Sequence, residues 1–238
     1  MCTPTTTYPA RMRGLRFCRR WTATSCGAWR PYGEAKVACE QHVLRAFGTD
    51  RSLIVRAGLI GGPGDISGRS GYWPLRFARP AEQDGSVLVP DLPDLATQVI
   101  DVRDLAGWIV GSGRSGLSGI FNATGETVPL AQHLQGARKV AGHTGPVVAA
   151  SQEWLLAQAV EPWMGERSLP VWLPTPEYAG FNSRDSSAAR AAGLVTRSLE
   201  ATLADTLAGE IDADPARPRR AGLSDDDEMS LLRALARS

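Results

Sequence analysis

The segment spanning residues 33–71 constrains the fold most. Its apolar positions Ala35, Val37, Ala38, Val43, Leu44 and Phe47 fall on one broad helical face, and Gly48 is a suitable stop. Residues 52–56 (Ser-Leu-Ile-Val-Arg) then form a short, largely branched apolar run, the composition of a parallel strand covered on both faces. The Gly- and Pro-rich stretch 58–71 follows and predicts a long loop. Helix, buried strand and loop in this order belong to a sheet layered with helices.

The alternation continues downstream. Short strands are predicted at 86–89, 97–100 and 119–122. Helices are predicted at 72–78, 102–110, 130–140, 151–159, 186–192, 199–207 and 224–236, with Asp101 as N-cap of the second. A Pro- and Trp-rich connector covers 161–178, and the acidic run 225–228 reads as the charged first turn of the last helix. The class is therefore α/β. Residues 1–31 are set apart by three cysteines, a Thr run and many arginines without period, and are expected to be irregular, leaving 32–238 as the organised part.

With 238 residues, 43% of them apolar, the chain is long enough for one sizeable domain plus a small lobe. A net charge of +1 with no sustained basic stripe offers nucleic acid or an anionic membrane no attraction, which leaves a small molecule as the expected partner and a homodimer as an open option. No run approaches the roughly 20 apolar residues of a membrane span, and residues 1–20 lack a signal-like apolar core, so a cytoplasmic location is expected. Cys2, Cys18, Cys26 and Cys39 lack the short paired spacings of metal sites, and no metal is expected.

Tyr32-Gly-Glu-Ala-Lys36 places a phenol and an ammonium on the same side of a helix, one turn apart. A nearby cation favours phenolate over phenol, which is what proton exchange with a hydroxyl or carbonyl near neutral pH requires. The pair alone also suits an ordinary solvated helix.

Its context makes it specific. Tyr32-x-x-x-Lys36 is followed by Arg56 and Gly62-Pro63 within Leu53-Ile-Val-Arg-Ala-Gly-Leu-Ile-Gly-Gly-Pro-Gly-Asp65, then by Val99-Ile-Asp-Val-Arg-Asp-Leu-Ala106 and Gly119-Ile-Phe-Asn-Ala-Thr-Gly125. In this order the motifs resemble extended short-chain dehydrogenases/reductases, more narrowly the NAD-dependent epimerase/dehydratase proteins of actinobacterial type. The resemblance implies the C-terminal part of a Rossmann-like parallel sheet with a small mixed α/β substrate lobe, and NAD or NADP as cofactor. It makes Tyr32 the catalytic acid/base and Lys36 its support and a ligand of the nicotinamide ribose. It brings the backbone at Ala57, Gly58 and Leu59 close to the nicotinamide, and makes Arg69, Tyr72, Trp73 and Arg76 candidates for a small polar, anionic or sugar-like substrate. The family pattern often has Pro where Ala57 stands. Asp101 and Asp104 read as helix caps rather than catalysts.

The family also needs a βαβ unit with a Gly-rich turn at a helix N-terminus to hold the pyrophosphate. Four such strands need on the order of 100 residues, whereas 31 precede Tyr32; the expectation is an N-terminally truncated chain with an exposed sheet edge and a tendency to aggregate. Gly58-Leu-Ile-Gly61-Gly-Pro-Gly64 matches a dinucleotide turn only superficially, since loop and not helix follows it. Thr22, Thr24 and Ser25 are candidates for a third catalytic hydroxyl, although Arg19-Arg-Trp-Thr-Ala-Thr-Ser-Cys26 lacks the apolar character of a central strand. Two alternatives stand beside the enzyme: an inactive remnant that does not bind NAD(P), and an RNA-binding or interaction protein, because chloroplast stem-loop-binding proteins are similar to this family.

Overall fold

The computed structural model describes residues 29–214 and 217–237, and the chain divides between Gly48 and Thr49 into two compact units. The expectations for 1–28, including Cys2, Cys18, Cys26 and the candidate hydroxyls Thr22, Thr24 and Ser25, lie outside the described residues.

In the first unit, helix α1 (Trp29–Phe47) covers the predicted helix and begins four residues earlier. It ends as expected: Gly48 adopts φ 80°, a left-handed conformation, and donates its N–H to the Leu44 carbonyl. Cys39 is a free, exposed thiol on this helix.

The second unit is built on parallel strand pairs. Strand β1 (Leu53–Ala57) pairs in parallel with β5 (Gly119–Ala123), in a register that places Arg56 opposite Asn122. β2 (Leu59–Gly61) pairs in parallel with β4 (Ala96–Asp101), whose other end takes β6 (Thr127–Pro129) antiparallel. β3 (Val87–Pro90) runs parallel to β7 (Val147–Ala150), and the short β8 (Glu161–Pro162) and β9 (Ser168–Leu169) pair within the Pro- and Trp-rich connector.

Strand β2 corrects the expectation of continuous loop over 58–71. Leu59 is buried, which favours pairing, and glycine at 61 permits it: a Cβ there would lie 2.7 Å from Val99 Cγ1.

Helix α3 (Val102–Ser115) starts where the sequence places its cap. The Asp101 carboxylate accepts the N–H of Arg103, and left-handed Gly116 closes the other end, five residues beyond the predicted stop. Leu105 and Trp108 face inward, join Ile100, Ala123, Ala189 and Leu194, and pack on Phe121; Trp108 also donates its indole N–H to the Ala192 carbonyl. α6 (Ser187–Ala191) supplies Ala189.

A second body of packing comprises α2 (Tyr72–Ala78), α4 (Leu130–Val140), α5 (Gln152–Ala157), α7 (Leu199–Asp212) and α8 (Asp225–Leu235). α4 packs against both α2 and α7, and Trp73, Phe77, Leu88, Leu130, Leu155, Trp172, Leu203 and Leu231 are almost or wholly buried.

Gly125, the last residue of the Gly119–Gly125 motif, shows why that motif ends as it does. A Cβ there would sit 1.8 Å from the Val99 carbonyl oxygen, a clash with backbone that no rotamer relieves. Gly125→Ala is expected to cost about 1–3 kcal/mol, the range for overpacking. A denaturation midpoint equal to wild type would contradict this.

His133 on α4 is fully buried with neither ring nitrogen hydrogen-bonded, and burial pushes it down to about 4. The unfolded imidazole titrates near 6.5, so between these values the unfolded chain binds the proton and the folded chain does not. Stability on this account falls as pH drops from about 6.5 toward 4. His133→Leu is expected to flatten that part of the urea-midpoint profile; an unchanged difference between the two proteins across the window would refute it.

Candidate functional site

Tyr32 and Lys36 lie on α1, one turn apart. The Lys36 Nζ is 5.6 Å from the Tyr32 ring centroid, and the Tyr32 side chain is half exposed. The helix thus brings the two groups together as the i, i+4 spacing predicts.

In the second unit, Ala57, Gly58 and Leu59 form the crossing from β1 to β2. Ala57 lies opposite Ala123 in the sheet, Gly58 donates its N–H to the Ala123 carbonyl at 3.2 Å, and Leu59 pairs with Val99. A Cβ at Gly58 would approach Thr124 Cγ2 to 3.1 Å, so the backbone runs close to the Asn122-Ala123-Thr124 segment.

The Gly-rich loop beyond β2 is organised by Asp65. Its carboxylate accepts the N–H groups of Ser67 (2.8 Å) and Ser70 (2.9 Å) and both serine hydroxyls. Burial pushes Asp65 up, but these four bonds outweigh it and hold the group below the usual aspartate range. The loop therefore closes around an anion of its own. Arg69 leaves this loop with its Nε on the Ser67 hydroxyl and its guanidinium over the Trp163 ring, 5.3 Å from the centroid.

The other three candidate substrate residues lie in the interior, where packing and ion pairs hold them. Trp73 is fully buried, and its indole N–H is donated to the Pro170 carbonyl at 2.8 Å. Tyr72 is buried edge-on against Trp73, with burial first and Glu228 second pushing its hydroxyl above the usual range. Arg76 is buried too: its Nη1 bonds Asp225 at 2.6 Å, its Nη2 the Leu223 carbonyl at 2.7 Å, and its Nε lies 3.0 Å from Glu228 Oε2 without hydrogen-bond alignment. Glu228 is wholly buried and also accepts the N–H of Leu88. Of the four, Arg69 alone is partly exposed.

Three residues absent from the sequence reading stack beside Arg69: Trp163, which is buried, and the partly exposed Phe181 and Arg184. Trp163 meets Phe181 edge to face, with centroids 5.6 Å apart, and Arg184 lies over Phe181 at 4.7 Å. Trp163 holds φ 71°, a left-handed conformation that bulky residues avoid. No local pattern announces this stack, because its members come from positions 69, 163, 181 and 184.

Asp101 caps α3, as expected, and pairs with Arg103; Asp104 is not a cap but lies in the first turn of that helix and binds Arg197 through the guanidinium and the backbone N–H. Among the described residues no three His, Cys, Asp or Glu side chains converge to hold a metal ion, and no helix is long and apolar enough to cross a membrane.

Neither a protein-family model nor a curated protein sequence matches the chain. Solved structures do. The UDP-N-acetylglucosamine 4-epimerase of Bacillus cereus matches with a TM-score of 0.52 at 14% identity, over 78% of this chain and 55% of that one. The UDP-glucose 4-epimerase of Thermotoga maritima, determined with UDP-glucose, matches with 0.51 at 18% identity, over 76% and 53%. The UDP-glucose 4-epimerase of Thermus thermophilus, in complex with NAD, gives 0.49 at 20% identity, over 77% and 55%. The chain thus matches about half the length of each of these proteins. At such identities the likeness concerns the fold, and the chain has the Rossmann-like mixed α/β fold found in UDP-sugar 4-epimerases.

Proposed function

We propose that this chain carries the acid/base helix and the substrate lobe of an NAD(P)-dependent epimerase or reductase acting on a small polar, sugar-like substrate. The observation that carries this reading is the Tyr32–Lys36 pair, set one turn apart on a regular helix in a chain with this fold. Tyr32, as phenolate, takes the proton of a substrate hydroxyl or, as phenol, returns one to a carbonyl oxygen. Lys36 supplies the positive charge that favours the ionised form during the exchange. Arg69, held over Trp163, offers a cation to a polar substrate.

The described residues do not fit the pyrophosphate of a dinucleotide. The glycine turn at 61–64 does not open into a helix, and the N–H groups of Ser67 and Ser70 beyond it already hold the Asp65 carboxylate. This favours a second reading, in which the chain keeps the lobe but does not by itself bind NAD(P).

Titrating NADH against the full chain and following nucleotide fluorescence separates the two. Saturable binding at micromolar to millimolar NADH supports the first reading; a linear signal through that range supports the second.

A further inference from the structure

Helix α3 is built unlike a helix that faces water. From Leu105 to Gly113 it carries no charged residue, yet Ala106, Gly107, Ile109, Val110, Gly111 and Gly113 are exposed, Val110 to 56%. A surface helix turns polar residues outward, and one that is apolar on its outer side is the kind that another element covers. The glycines sharpen the point. Glycine is the least favourable helix residue short of proline, and a Cβ at Gly107, Gly111 or Gly113 would meet nothing within 4 Å. Among the described residues, no packing contact requires any of the three.

Gly107 and Gly111 lie on one side of the helix, one turn apart. They line an open groove of about 400 Å³, with Ala192, Gly193 and Val195 across from them, and Val195 is 81% exposed. Ser112 lines the same groove. It is 4% exposed, and its hydroxyl is buried with no hydrogen-bond partner among the described residues. The two ends of the helix differ in charge. At the N-terminal end Asp101, Asp104 and Asp205 share Arg103 and Arg197, which leaves a carboxylate in excess. In the last turn Arg114 is exposed and has no ion pair among the described residues.

We propose that two copies of this chain pair through α3, antiparallel across a two-fold axis, with Gly107 of one copy against Gly111 of the other. A two-fold interface needs a face that complements itself, and this one does. The axis that opposes Gly107 to Gly111 also opposes Arg114 to Asp104, so the unpaired guanidinium of each copy meets the acidic end of the other. A parallel pair would set Arg114 against Arg114. Glycine at both crossing points removes the side chains that keep helix axes roughly 8–10 Å apart, and the two backbones approach closely. The same cover takes Val110 and Val195 out of water and brings partner groups over the Ser112 hydroxyl, which folding alone leaves unsatisfied. One helix of 14 residues and a short loop offer less than the roughly 800 Å² per partner of a standard interface, so the dimer is weak and depends on concentration.

Sedimentation velocity of the full chain, from about 5 to 500 µM, tests this. The mean mass is expected to rise from one chain toward two across that range. Gly111→Leu fills the crossing point and is expected to stay monomeric. Arg114→Glu is expected to weaken the dimer about fivefold or more, because the two-fold repeats the pair. Leu156→Glu, at an exposed apolar position on α5, is expected to change nothing. Gly111→Ala separates the partner from the fold: at the lowest concentration it is expected to melt about 2–4 °C above wild type, as a glycine leaves a helix, while its dimer is weaker.

A chain that remains monomeric throughout, or a dimer that Gly111→Leu leaves intact, overturns the proposal. A Gly111→Ala protein that melts below wild type overturns it as well, by showing that the single chain needs the glycine. Mass that grows past two chains overturns the two-fold. A dimer lost in Phe47→Glu but kept in Gly111→Leu overturns the assignment to α3 by placing the contact on α1, where Phe47 is also exposed.

Discussion

Glu228→Ala is expected to destabilise the protein by about 3–5 kcal/mol, the cost of breaking a buried ion pair by removing one partner. The Glu228 carboxylate is wholly buried, faces Arg76 and accepts the N–H of Leu88, so its loss orphans both a charge and a backbone donor in the interior. Asp225 cannot substitute, since it is 73% exposed and already bonded to Arg76. Burial pushes Glu228 up, against the pull of Arg76, so holding the ionised pair in the interior is costly in itself. Two further variants follow from that balance. Glu228→Gln keeps an acceptor for Leu88 and is expected to lose less than Glu228→Ala, while the Arg76→Leu/Glu228→Leu double variant is expected to recover most of the stability. Urea unfolding followed by far-ultraviolet circular dichroism measures all three. A Glu228→Ala protein within about 1 kcal/mol of wild type would show that the pair does not hold the lobe together.

The second large effect concerns chemistry. In protein that binds NADH and turns over a sugar-like substrate, Tyr32→Phe is expected to lower kcat by about 10²- to 10⁴-fold, the usual contribution of a positioned acid/base. KM should change little, because the hydroxyl acts on the proton in flight. Lys36→Gln is expected to cost less, since it removes support for the phenolate but not the group itself. Neither change should move the melting temperature much, as both side chains are exposed. Full activity in Tyr32→Phe would remove this residue from the mechanism.

The regular elements were legible where they carry a strong period or a cap. The helices at Tyr72–Ala78 and Leu130–Val140 begin and end as the sequence predicts, and Asp101 caps the helix it was expected to cap. Three short strands were not: β2 lies in a Gly-rich stretch that reads as loop, and β6 and β7 are too short to show an alternation, whereas the four-residue β3 was expected at 86–89. The Tyr32–Lys36 pair was visible because helical geometry is local. Arg76 and Glu228 were not, because a charged side chain on a short amphipathic helix reads as solvated or substrate-facing until the partner from a distant segment is seen.

The closure of α2 by α8 also sets an order of events during synthesis. Arg76 and Asp225 are 149 positions apart, and Leu88 and Glu228 are 140 apart. At ribosomal rates of about 5–20 residues per second, Arg76 emerges on the order of 10–30 s before either carboxylate exists. Throughout that interval the carboxylate partners of its guanidinium are missing. The contacts of Arg76 and Leu88 with α8 therefore form only after that helix has been translated, later than the packing of α2 on α4 and α7 can begin.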